Sequence, residues 1–431
     1  MKASQFNSFF PYEDKVVGYN ALSDQFIVLD PMVHSLLEAA VSERNIDGLD
    51  SYHPDFYAFL IKKKFLVENE FNELEVVKNI REQVDIDGST YTMVVNPTMN
   101  CNFKCWYCYE SHIKDSKMSN DMIEKIIKFS DNLIREKAYS SFHLSWFGGE
   151  PLLYFKDVVK PLIGALHSKF AQAGIHFASS FTTNGLLIDQ EMVSFCTQHD
   201  AKFFQITLDG DEERHDLVRF ISKNKGSYKQ ILNNISLLAE NDCQVTVRIN
   251  ISENTLQGLE NIAADFKAFS PKAIANIVFS FQKVWQVTTN IHSEIEGNIQ
   301  TFRDMGYKVE YIGGRADTLR NSCYADKKGQ ATINYNGDVF KCTARDFSDA
   351  NKEGVLNDNG ELVWNEKRDQ RLQAKFKNTP CLSCKILPIC NGGCSQNALE
   401  SLGEDYCVFD FDEKKKDEVI YHKFLEKVVY A

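Results

Sequence analysis

Three of the 12 cysteines lie within one short segment, at Cys101, Cys105 and Cys108. Three thiolates at this CxxxCxxC spacing can hold a cubane iron–sulfur cluster and leave one iron without a protein ligand. That open iron can bind a small molecule through a nitrogen and an oxygen atom. A structural zinc site completed by His112 is the alternative, since zinc takes four cysteine or histidine ligands. The segment directly follows a predicted strand, and this loop position favours the cluster.

Seven further cysteines occur between Cys323 and Cys407. They are Cys323, Cys342, Cys381, Cys384, Cys390, Cys394 and Cys407. Closely spaced thiols in a reduced compartment are more often metal ligands than disulfides, and a pair of zinc ribbons is the alternative to iron–sulfur clusters. Gly337 stands in a segment that predicts a hairpin turn, because glycine adopts positive φ without strain. Cys196 and Cys243 lie in apolar surroundings, which indicates structural thiols.

Composition limits the class of protein. The 431 residues are long enough for two or three domains, and 43% hydrophobic with 25% charged residues is typical of a soluble globular protein. The formal net charge of −12 argues against a nucleic-acid partner. No apolar run reaches the length of a membrane span, and the N-terminal residues do not have the pattern of a signal peptide. We therefore expect a cytoplasmic protein with no membrane partner.

The elements that must position the first three cysteines alternate between strand and helix. The predicted strands are Tyr91–Asn96, Phe142–Trp146, Ala178–Thr182, Phe203–Leu208, Val245–Asn250 and Ile274–Phe281. The predicted helices are Asp121–Lys137, Phe155–Ala171, Asp189–Gln198, Tyr228–Asn241 and Leu256–Ala268. Strict alternation predicts a parallel sheet covered by helices, either doubly wound or an incomplete barrel. In both folds the reactive groups lie at the C-terminal ends of the strands.

The chain before this region has its own pattern. A strand pair is predicted within Tyr19–Leu29, helices over Met32–Ala40 and Phe56–Lys63, and a short strand at Phe65–Val67. These elements predict a small winged-helix-like module, with a capping subdomain as the alternative. At the other end of the chain, Asp412–Val429 predicts a closing helix.

Four successive strand ends carry a resemblance. The CxxxCxxC segment, with Tyr107 before its third cysteine, resembles the signature of radical S-adenosylmethionine (SAM) enzymes. Trp146-Phe147-Gly148-Gly149-Glu150-Pro151 resembles the family's GGE motif, Thr182-Thr183-Asn184-Gly185 the stretch near the SAM ribose, and Gln205 to Gly210 with His215, Asp216 and Arg219 the fourth-strand signature of the peptide-modifying branch. The resemblance implies SAM contacts by Tyr107, Gly148, Gly149, Glu150, Asn184, Thr207 and Arg219.

The resemblance extends to the second group of cysteines, whose order is similar to the signature of the SPASM domain. It implies that Cys381, Cys384, Cys390 and Cys407 hold an outer auxiliary [4Fe-4S] cluster. Cys323, Cys342 and Cys394 would hold an inner auxiliary cluster. The fourth ligand of the inner cluster stays open between Asp317, the substrate and none.

The family further implies the fold and the activity. We expect a partial (β/α)6 TIM-like barrel with a winged-helix-like module at 1–88, a radical SAM core at 89–305 and a SPASM domain at 306–431. The implied reaction is reductive cleavage of SAM to a 5′-deoxyadenosyl radical, which abstracts hydrogen from a ribosomal precursor peptide and gives a crosslink, a thioether or an epimerised residue. The module at 1–88 would bind the leader peptide, and a flavodoxin or ferredoxin would supply the electron.

Two other functions compete with this interpretation. An anaerobic sulfatase-maturating enzyme, which makes formylglycine, should have an Asp directly after the cysteine of the GxxxxC segment. This sequence has Thr343 there, with Asp346 farther on. A zinc-bearing binding protein without enzymatic activity is the third hypothesis, and the acidic charge and the four strand ends count against it.

Overall fold

The computed structural model describes residues 1–86, 88–289, 291–311 and 322–429. The strands are β1 Lys2–Ala3, β2 Asn7–Tyr12, β3 Lys15–Asn20, β4 Gln25–Leu29, β5 Leu66–Val67, β6 Thr90–Asn96, β7 Ser141–Trp146, β8 His176–Thr183, β9 Phe203–Leu208, β10 Phe220–Ser222, β11 Lys225–Gly226, β12 Gln244–Ile251, β13 Ile277–Lys283, β14 Lys308–Tyr311, β15 Gln330–Asn334, β16 Asp338–Phe340, β17 Gly354–Leu356 and β18 Leu362–Trp364. The α-helices are α1 Pro31–Ser42, α2 Gly48–Tyr52, α3 Pro54–Lys62, α4 Glu73–Ile86, α5 Asn120–Glu136, α6 Lys160–Gln172, α7 Gln190–Gln198, α8 Glu212–Val218, α9 Tyr228–Glu240, α10 Leu259–Asp265, α11 Pro271–Ala275, α12 His292–Asp304, α13 Glu366–Leu372, α14 Leu387–Cys390, α15 Ser395–Glu400 and α16 Glu413–Phe424.

The chain divides into two compact units. The barrel unit comprises the described residues of Gly88–Gly313 and Gly329–Arg368, and the terminal unit those of Met1–Asp87, Gly314–Lys328 and Asp369–Ala431. The region predicted as a C-terminal domain, 306–431, therefore contributes residues to both units. None of the helices in the described ranges combines the length and the hydropathy of a membrane span.

One large sheet organises the barrel unit. Its strand order is β14-β13-β12-β9-β8-β7-β6-β15, all parallel, followed by the antiparallel strands β16, β17 and β18. The six predicted strands are its six central members in chain order, and helices lie between them in the chain. The predicted α/β fold with a partial (β/α)6 barrel is confirmed.

The two faces of this sheet differ in chemistry. Alternate residues such as Met93, Leu144, Ile206, Val247 and Phe279 are buried in one apolar core with the helices. Because successive strand residues point to opposite faces, the residues between them form the other face. That second face is largely polar: it carries Thr92, Asn96, His143, Ser145, Ser180, Thr182, Gln205, Thr207, Thr246, Arg248, Asn250, Ser280, Gln282, Gln330, Thr332 and Asn334. A ligand on the polar face meets hydrogen-bonding groups rather than packed hydrocarbon.

Two local predictions have different outcomes. Gly337 adopts φ +89° in the turn between β15 and β16, and its N–H donates to Asn334 O at 2.9 Å, so the predicted hairpin is confirmed. The predicted strand Ile274–Phe281 begins too early, because Ser270 and the proline after it start helix α11 there. The Ser270 hydroxyl accepts a hydrogen bond from Ala273 N at 3.1 Å, which caps that helix.

The terminal unit has two apolar cores. The first lies among β4, α1, α3 and β5 and includes Ile27, Leu37, Phe56, Leu60 and Phe65. The second combines N-terminal and C-terminal residues, and its buried members are Phe6, Tyr19, Ala21, Val77, Ile386, Leu387, Ile389, Val419 and Ile420. Strands β2, β3 and β4 form an antiparallel sheet, and β1 pairs with β5. The ends of the chain therefore share a core.

Candidate functional site

The loop that carries Cys101, Cys105 and Cys108 connects β6 with α5, at the C-terminal end of the first barrel strand. Hydrogen bonds hold its two ends together: Thr98 Oγ1 donates to Ser116 O at 2.6 Å, and Met99 N donates to Ser116 Oγ at 2.9 Å. Within the loop, Cys108 N donates to Cys105 O at 3.1 Å. The loop is therefore fixed at the end of the sheet where barrel chemistry is expected.

The donor chemistry of this loop fits a cluster better than a single zinc ion. Cys108 Sγ lies 3.6 Å from His112 Nε2. Among the described residues, however, no three His, Cys, Asp or Glu side chains are arranged to hold one ion. Burial raises the pKa of Cys101 to about 12 and also raises the pKa of Cys105 and Cys108. Metal ligation ionises such thiols, and three thiolates are the ligand set of a cubane cluster that keeps one open iron.

The second strand end docks directly on the cysteine loop through its two glycines. Gly149 N donates to Thr98 O at 3.1 Å, and Glu150 N donates to Asn100 O at 2.9 Å. Gly148 adopts φ +94°, and a Cβ on Gly149 would lie 2.2 Å from Asn100 O. Only glycine allows this close approach of two backbones.

The Glu150 carboxylate links the end of β7, the second barrel strand, to the end of β8, the third. It accepts hydrogen bonds from Leu152 N at 2.9 Å, Asn184 N at 2.8 Å and Thr183 Oγ1 at 2.7 Å. Burial raises the pKa of Glu150, and these hydrogen bonds act in the opposite direction. Asn184 Nδ2 also donates to Asn102 Oδ1 at 2.7 Å, which connects the third strand end to the cysteine loop.

The end of β9, the fourth barrel strand, carries a buried ion pair. Arg219 Nε donates to Asp209 Oδ2 at 2.6 Å, and Arg219 Nη2 donates to Tyr107 OH at 2.8 Å. Tyr107 OH donates to the same Asp209 carboxylate at 2.7 Å. Thr207 lies on β9 and is 9% exposed. The structure therefore places Asp209 and Arg219 against Tyr107 of the cysteine loop, while the SAM contacts of Tyr107, Thr207 and Arg219 stay predictions.

Asp209 and Asn102 are two members of this network that the sequence analysis did not select. Both stand inside the motifs that carry the resemblance, Asp209 at the fourth strand end and Asn102 directly after Cys101. A polar residue at a strand end beside a predicted site residue was the available signal.

Four cysteines of the terminal unit line one cavity. Its lining residues include Cys381, Cys384, Cys390, Cys407, Tyr406 and Lys416. Asn378 Nδ2 donates to Cys381 Sγ at 3.0 Å, and burial raises the pKa of Cys390 to about 12. These four cysteines are the set that the resemblance assigns to the outer auxiliary cluster, and their side chains meet around a space walled by apolar residues such as Leu387.

The three cysteines assigned to the inner cluster are divided between the two units. Cys323 and Cys394 belong to the terminal unit, and Cys342 follows β16 in the barrel unit. Asp317 lies outside the described residues, so its role stays a prediction. Cys196 and Cys243 are buried in the core of the barrel unit, as predicted for structural thiols.

Thr343 stands where the sulfatase-maturating alternative requires an Asp as base, and Asp346 lies farther along the chain. Thr343 O accepts a hydrogen bond from Tyr109 OH at 2.8 Å. The Asp346 carboxylate accepts hydrogen bonds from Asn351 Nδ2 at 2.6 Å and from Ser348 Oγ at 3.1 Å. Asp346 therefore contributes to the structure of its own loop.

Comparisons with known proteins agree with this geometry. Residues 95–266 match the family model described as the Radical SAM superfamily. A cysteine-type anaerobic sulfatase-maturating enzyme of Clostridium novyi (strain NT) is 23% identical over 349 residues, which cover 71% of this chain and 88% of that protein. An uncharacterized protein of Synechocystis sp. is 27% identical over 241 residues, which cover 54% of this chain and 58% of that protein. The chain thus spans less than two thirds of this second relative.

Solved structures share the fold. SuiB of Streptococcus suis bound to S-adenosylmethionine aligns with a TM-score of 0.54 at 18% identity, over 96% of this chain and all of that chain. The same protein bound to its precursor peptide SuiA aligns with a TM-score of 0.50 at 15% identity, over 93% of this chain and 96% of that chain.

Proposed function

We propose that this chain, which is a radical SAM enzyme, matures a peptide. Enzymes of this family use a [4Fe-4S] cluster and SAM. Its substrate would be a ribosomal precursor peptide, and its product a crosslink, a thioether or an epimerised residue. The observation that carries the proposal is the hydrogen-bonded network in which the ends of β7, β8 and β9 contact the cysteine loop at the end of β6. A flavodoxin or ferredoxin would deliver the electron.

The residues of the network have separate tasks in this proposal. Cys101, Cys105 and Cys108 would hold the cluster. With SAM bound, the cluster supplies one-electron cleavage of the sulfonium and a carbon radical that abstracts hydrogen. Glu150 is held by three donors and would orient the amino group of SAM. The polar face of the sheet offers hydrogen-bonding groups on which the substrate carbon could be positioned.

The three-stranded sheet of the terminal unit offers an edge for the leader peptide. Strand β2 is one edge and contains Pro11, which has no N–H to donate. Strand β4 is the other edge, and its outer side has no ladder partner among the described residues. Val28 on this strand is 56% exposed, and Met32 just beyond it is 83% exposed. An extended leader peptide would add to β4 as a fourth strand, with apolar side chains against Val28 and Met32.

A sulfatase-maturating activity is the second candidate, because the Clostridium novyi relative covers most of both chains. The hydrogen bonds of Asp346 count against it, since the carboxylate that could serve as base is held within its own loop.

Metal analysis after anaerobic reconstitution tests the proposal first. About twelve irons with matching acid-labile sulfide per chain would indicate three cubane clusters. About eight would leave one auxiliary site empty or smaller, and stoichiometric zinc with little iron would contradict the enzyme mechanism. Incubation of the reduced enzyme with a sulfatase peptide then separates the candidates. We expect no formylglycine, and a mass loss that matches oxidation to an aldehyde would favour the second candidate.

A further inference from the structure

The β-hairpin that follows β9 and α8 carries exposed apolar and basic side chains. It consists of β10 and β11, which pair with each other and with no further strand among the residues that the structure describes. Leu217, just before the hairpin, is 76% exposed, and Phe220 and Ile221 on β10 are 49% and 39% exposed. Neighbouring exposed apolar side chains of this size are typical of a surface that contacts a partner. We call Leu217, Phe220, Ile221, Lys223 and Lys225 the hairpin patch.

The root of the hairpin is fixed by hydrogen bonds. The Asp216 carboxylate accepts from Ser227 N at 2.8 Å and from Tyr228 N at 2.9 Å, and Ser227 Oγ donates to Arg219 O at 2.8 Å. The pairing register shifts between Phe220 and Ser222, which is a β-bulge. A bulge interrupts the alternation of sides that a regular strand imposes on its side chains. The exposed residues therefore extend from a braced turn.

The hairpin patch is basic, although the whole chain is acidic. Residues 217–229 contain one arginine, three lysines and no acidic residue, whereas the formal net charge of the chain is −12. Lys229 is paired with Glu212 at 2.7 Å, but Lys223 and Lys225 are exposed and form no ion pair with any described residue. Exposed charges more than ~8 Å away are largely screened at physiological ionic strength. A protein that docks here therefore meets local positive charge.

The root of the hairpin also contacts the cysteine loop. Arg219 Nη2 donates to Tyr107 OH at 2.8 Å, and the guanidinium carbon of Arg219 lies 5.9 Å from the centroid of the Phe103 ring. Phe103 and Tyr107 stand on either side of Cys105 in the sequence, and Lys104 between Phe103 and Cys105 is exposed. The hairpin patch thus begins beside the loop that would hold the cluster, which is where an electron has to arrive.

Another exposed phenylalanine of the barrel unit lacks this setting. Phe203 is 47% exposed, but it begins β9, whereas the hairpin follows the C-terminal end of that strand. Six strand residues span about 17 Å, so Phe203 is separated by that length from the strand end that carries the site. The lysine beside it, Lys202, forms an ion pair with Asp200 at 3.8 Å. Apolar exposure together with unpaired lysines beside the cysteine loop therefore distinguishes the hairpin patch.

We propose that the hairpin patch is the docking surface of a flavodoxin that reduces the cluster. The proposal rests on the proposed function, since it assumes a cluster in the cysteine loop. The lysines favour a partner with an acidic surface. The apolar centre of the patch matches the dimethylbenzene edge of a flavin, which a ferredoxin does not have. One electron leaves the reduced flavin, which is oxidised by one electron, and enters the cluster, which is reduced by one electron, and no atom is transferred.

Direct binding tests the docking surface. Anaerobic titration calorimetry of the reconstituted full-length enzyme with an oxidised, acidic flavodoxin gives the Kd at low salt and at ~0.5 M salt. We expect Lys223→Glu to weaken binding about 5- to 10-fold at low salt and less than twofold at high salt, because the lost attraction is electrostatic. We expect Phe220→Ser to weaken binding about 5- to 10-fold at both salt concentrations, because an apolar contact is not screened.

Lys267→Glu and Phe203→Ser are the matched controls. Lys267 is an exposed lysine of the 3₁₀ helix Phe266–Ala268, which precedes the N-terminal end of β13. Its substitution changes the net charge by the same amount as Lys223→Glu. Phe203 matches Phe220 in exposure. Both controls should bind flavodoxin within twofold of wild type, and iron content with far-UV circular dichroism establishes that every variant is folded and loaded.

The choice of reductant separates docking from chemistry. With dithionite, each variant should form 5′-deoxyadenosine within twofold of the wild-type rate, because a small reductant does not need the patch. With reduced flavodoxin, the concentration that gives half of the maximal rate should rise about 5- to 10-fold in Lys223→Glu and Phe220→Ser, in line with the weaker binding. The two controls should keep the wild-type value.

Four outcomes would overturn the proposal. Flavodoxin affinities of Lys223→Glu and Phe220→Ser within twofold of wild type would place the docking surface elsewhere. Equal losses of rate with dithionite and with flavodoxin would mean that the variants damage the site itself. Tighter binding of a ferredoxin than of flavodoxin, weakened by the same variants, would change the occupant. A wild-type dimer in light scattering that either variant dissociates would assign the patch to a second copy of the chain.

Failure of the proposed function has a different signature. Wild-type enzyme that forms no 5′-deoxyadenosine with dithionite would contradict the radical mechanism, whereas each of the four outcomes above leaves wild-type cleavage of SAM by dithionite intact.

Discussion

The two cysteine sites differ in what surrounds the thiols. In the barrel unit, three cysteines lie in a loop bordered by Glu150, Asn184 and the Asp209–Arg219 pair, all of them polar or charged. In the terminal unit, four cysteines line a cavity whose other lining residues are mainly apolar, with Lys416 as the charged exception. Three thiolates in a polar setting leave room for a polar ligand on the metal, and four thiolates in an apolar setting leave none. This difference matches the proposed function, in which the first site would bind SAM and the second would hold a fully ligated cluster.

The largest expected effect comes from Cys105→Ala. Removal of one of three ligands should cost the barrel cluster, about four irons per chain, and abolish formation of 5′-deoxyadenosine. Cys196→Ala is the control, since Cys196 is a buried thiol in the core of the same unit. Iron analysis and chromatographic detection of 5′-deoxyadenosine check both variants. Undiminished SAM cleavage in Cys105→Ala would remove the functional distinction between the two sites.

Cys384→Ala sharpens the comparison from the other side. We expect the loss of about four irons, because Cys384 lines the second cavity, whereas the Kd of SAM should stay within twofold of wild type. Ser383→Ala, at the adjacent residue, should keep both the iron and the affinity. If Cys384→Ala abolished SAM binding, the two sites would not have separate functions.

The sequence predicted the barrel well because its signals are local. Each central strand alternates apolar and polar residues or is bounded by an amphipathic helix, so its position follows from a short window. The glycines of the second strand end were also readable, since Gly148 and Gly149 lie in one motif. By contrast, the hydrogen bond between Asn184 and Asn102 joins two loops that no local pattern connects.

The terminal unit was harder to predict, because its core joins distant parts of the chain. Phe6 and Val77 pack with Ile386 and Val419, and no periodicity in one segment reports such a partner. Strand β2 was missed because it contains Pro11, and helix α4 because its polar residues obscure the stripe that buries Val77. Deletion of residues 1–85 would therefore remove half of a shared core, so substitutions on β4 are the better test of leader binding.

The smallest expected effect is a pH dependence of the free energy of unfolding that arises at the barrel site. Burial lowers the pKa of His215 to about 3, with Arg219 acting in the same direction. His215 Nδ1 accepts a hydrogen bond from Asp209 N at 3.2 Å, and Nε2 lies 3.0 Å from Ser227 Oγ. Protonation of Nδ1 would place two donors against each other beside the Asp209–Arg219 pair, so the folded protein requires the neutral ring.

The direction of this pH dependence follows from the pKa values of His215 in the folded and in the unfolded chain. An unfolded histidine titrates near pH ~6.5, so the unfolded chain binds a proton below that pH while the folded chain does not. The stabilisation is complete above pH ~6.5 and is lost progressively as the pH falls towards 3. Between pH ~7 and ~5 the free energy of unfolding should fall by about 2 kcal/mol through His215 alone.

Urea unfolding at those two pH values measures this contribution. His215→Gln cannot titrate, so its stability should fall by about 2 kcal/mol less than that of wild type over the same interval, whatever its stability at neutral pH. His176→Gln, at an exposed histidine of the same unit, should retain the wild-type dependence. An identical pH dependence in His215→Gln and wild type would mean that the ring is protonated without cost. The end of β9 would then tolerate charge as the solvent-exposed surface does. The contrast between the polar barrel site and the mainly apolar cavity of the terminal unit would have to rest on the cysteines alone.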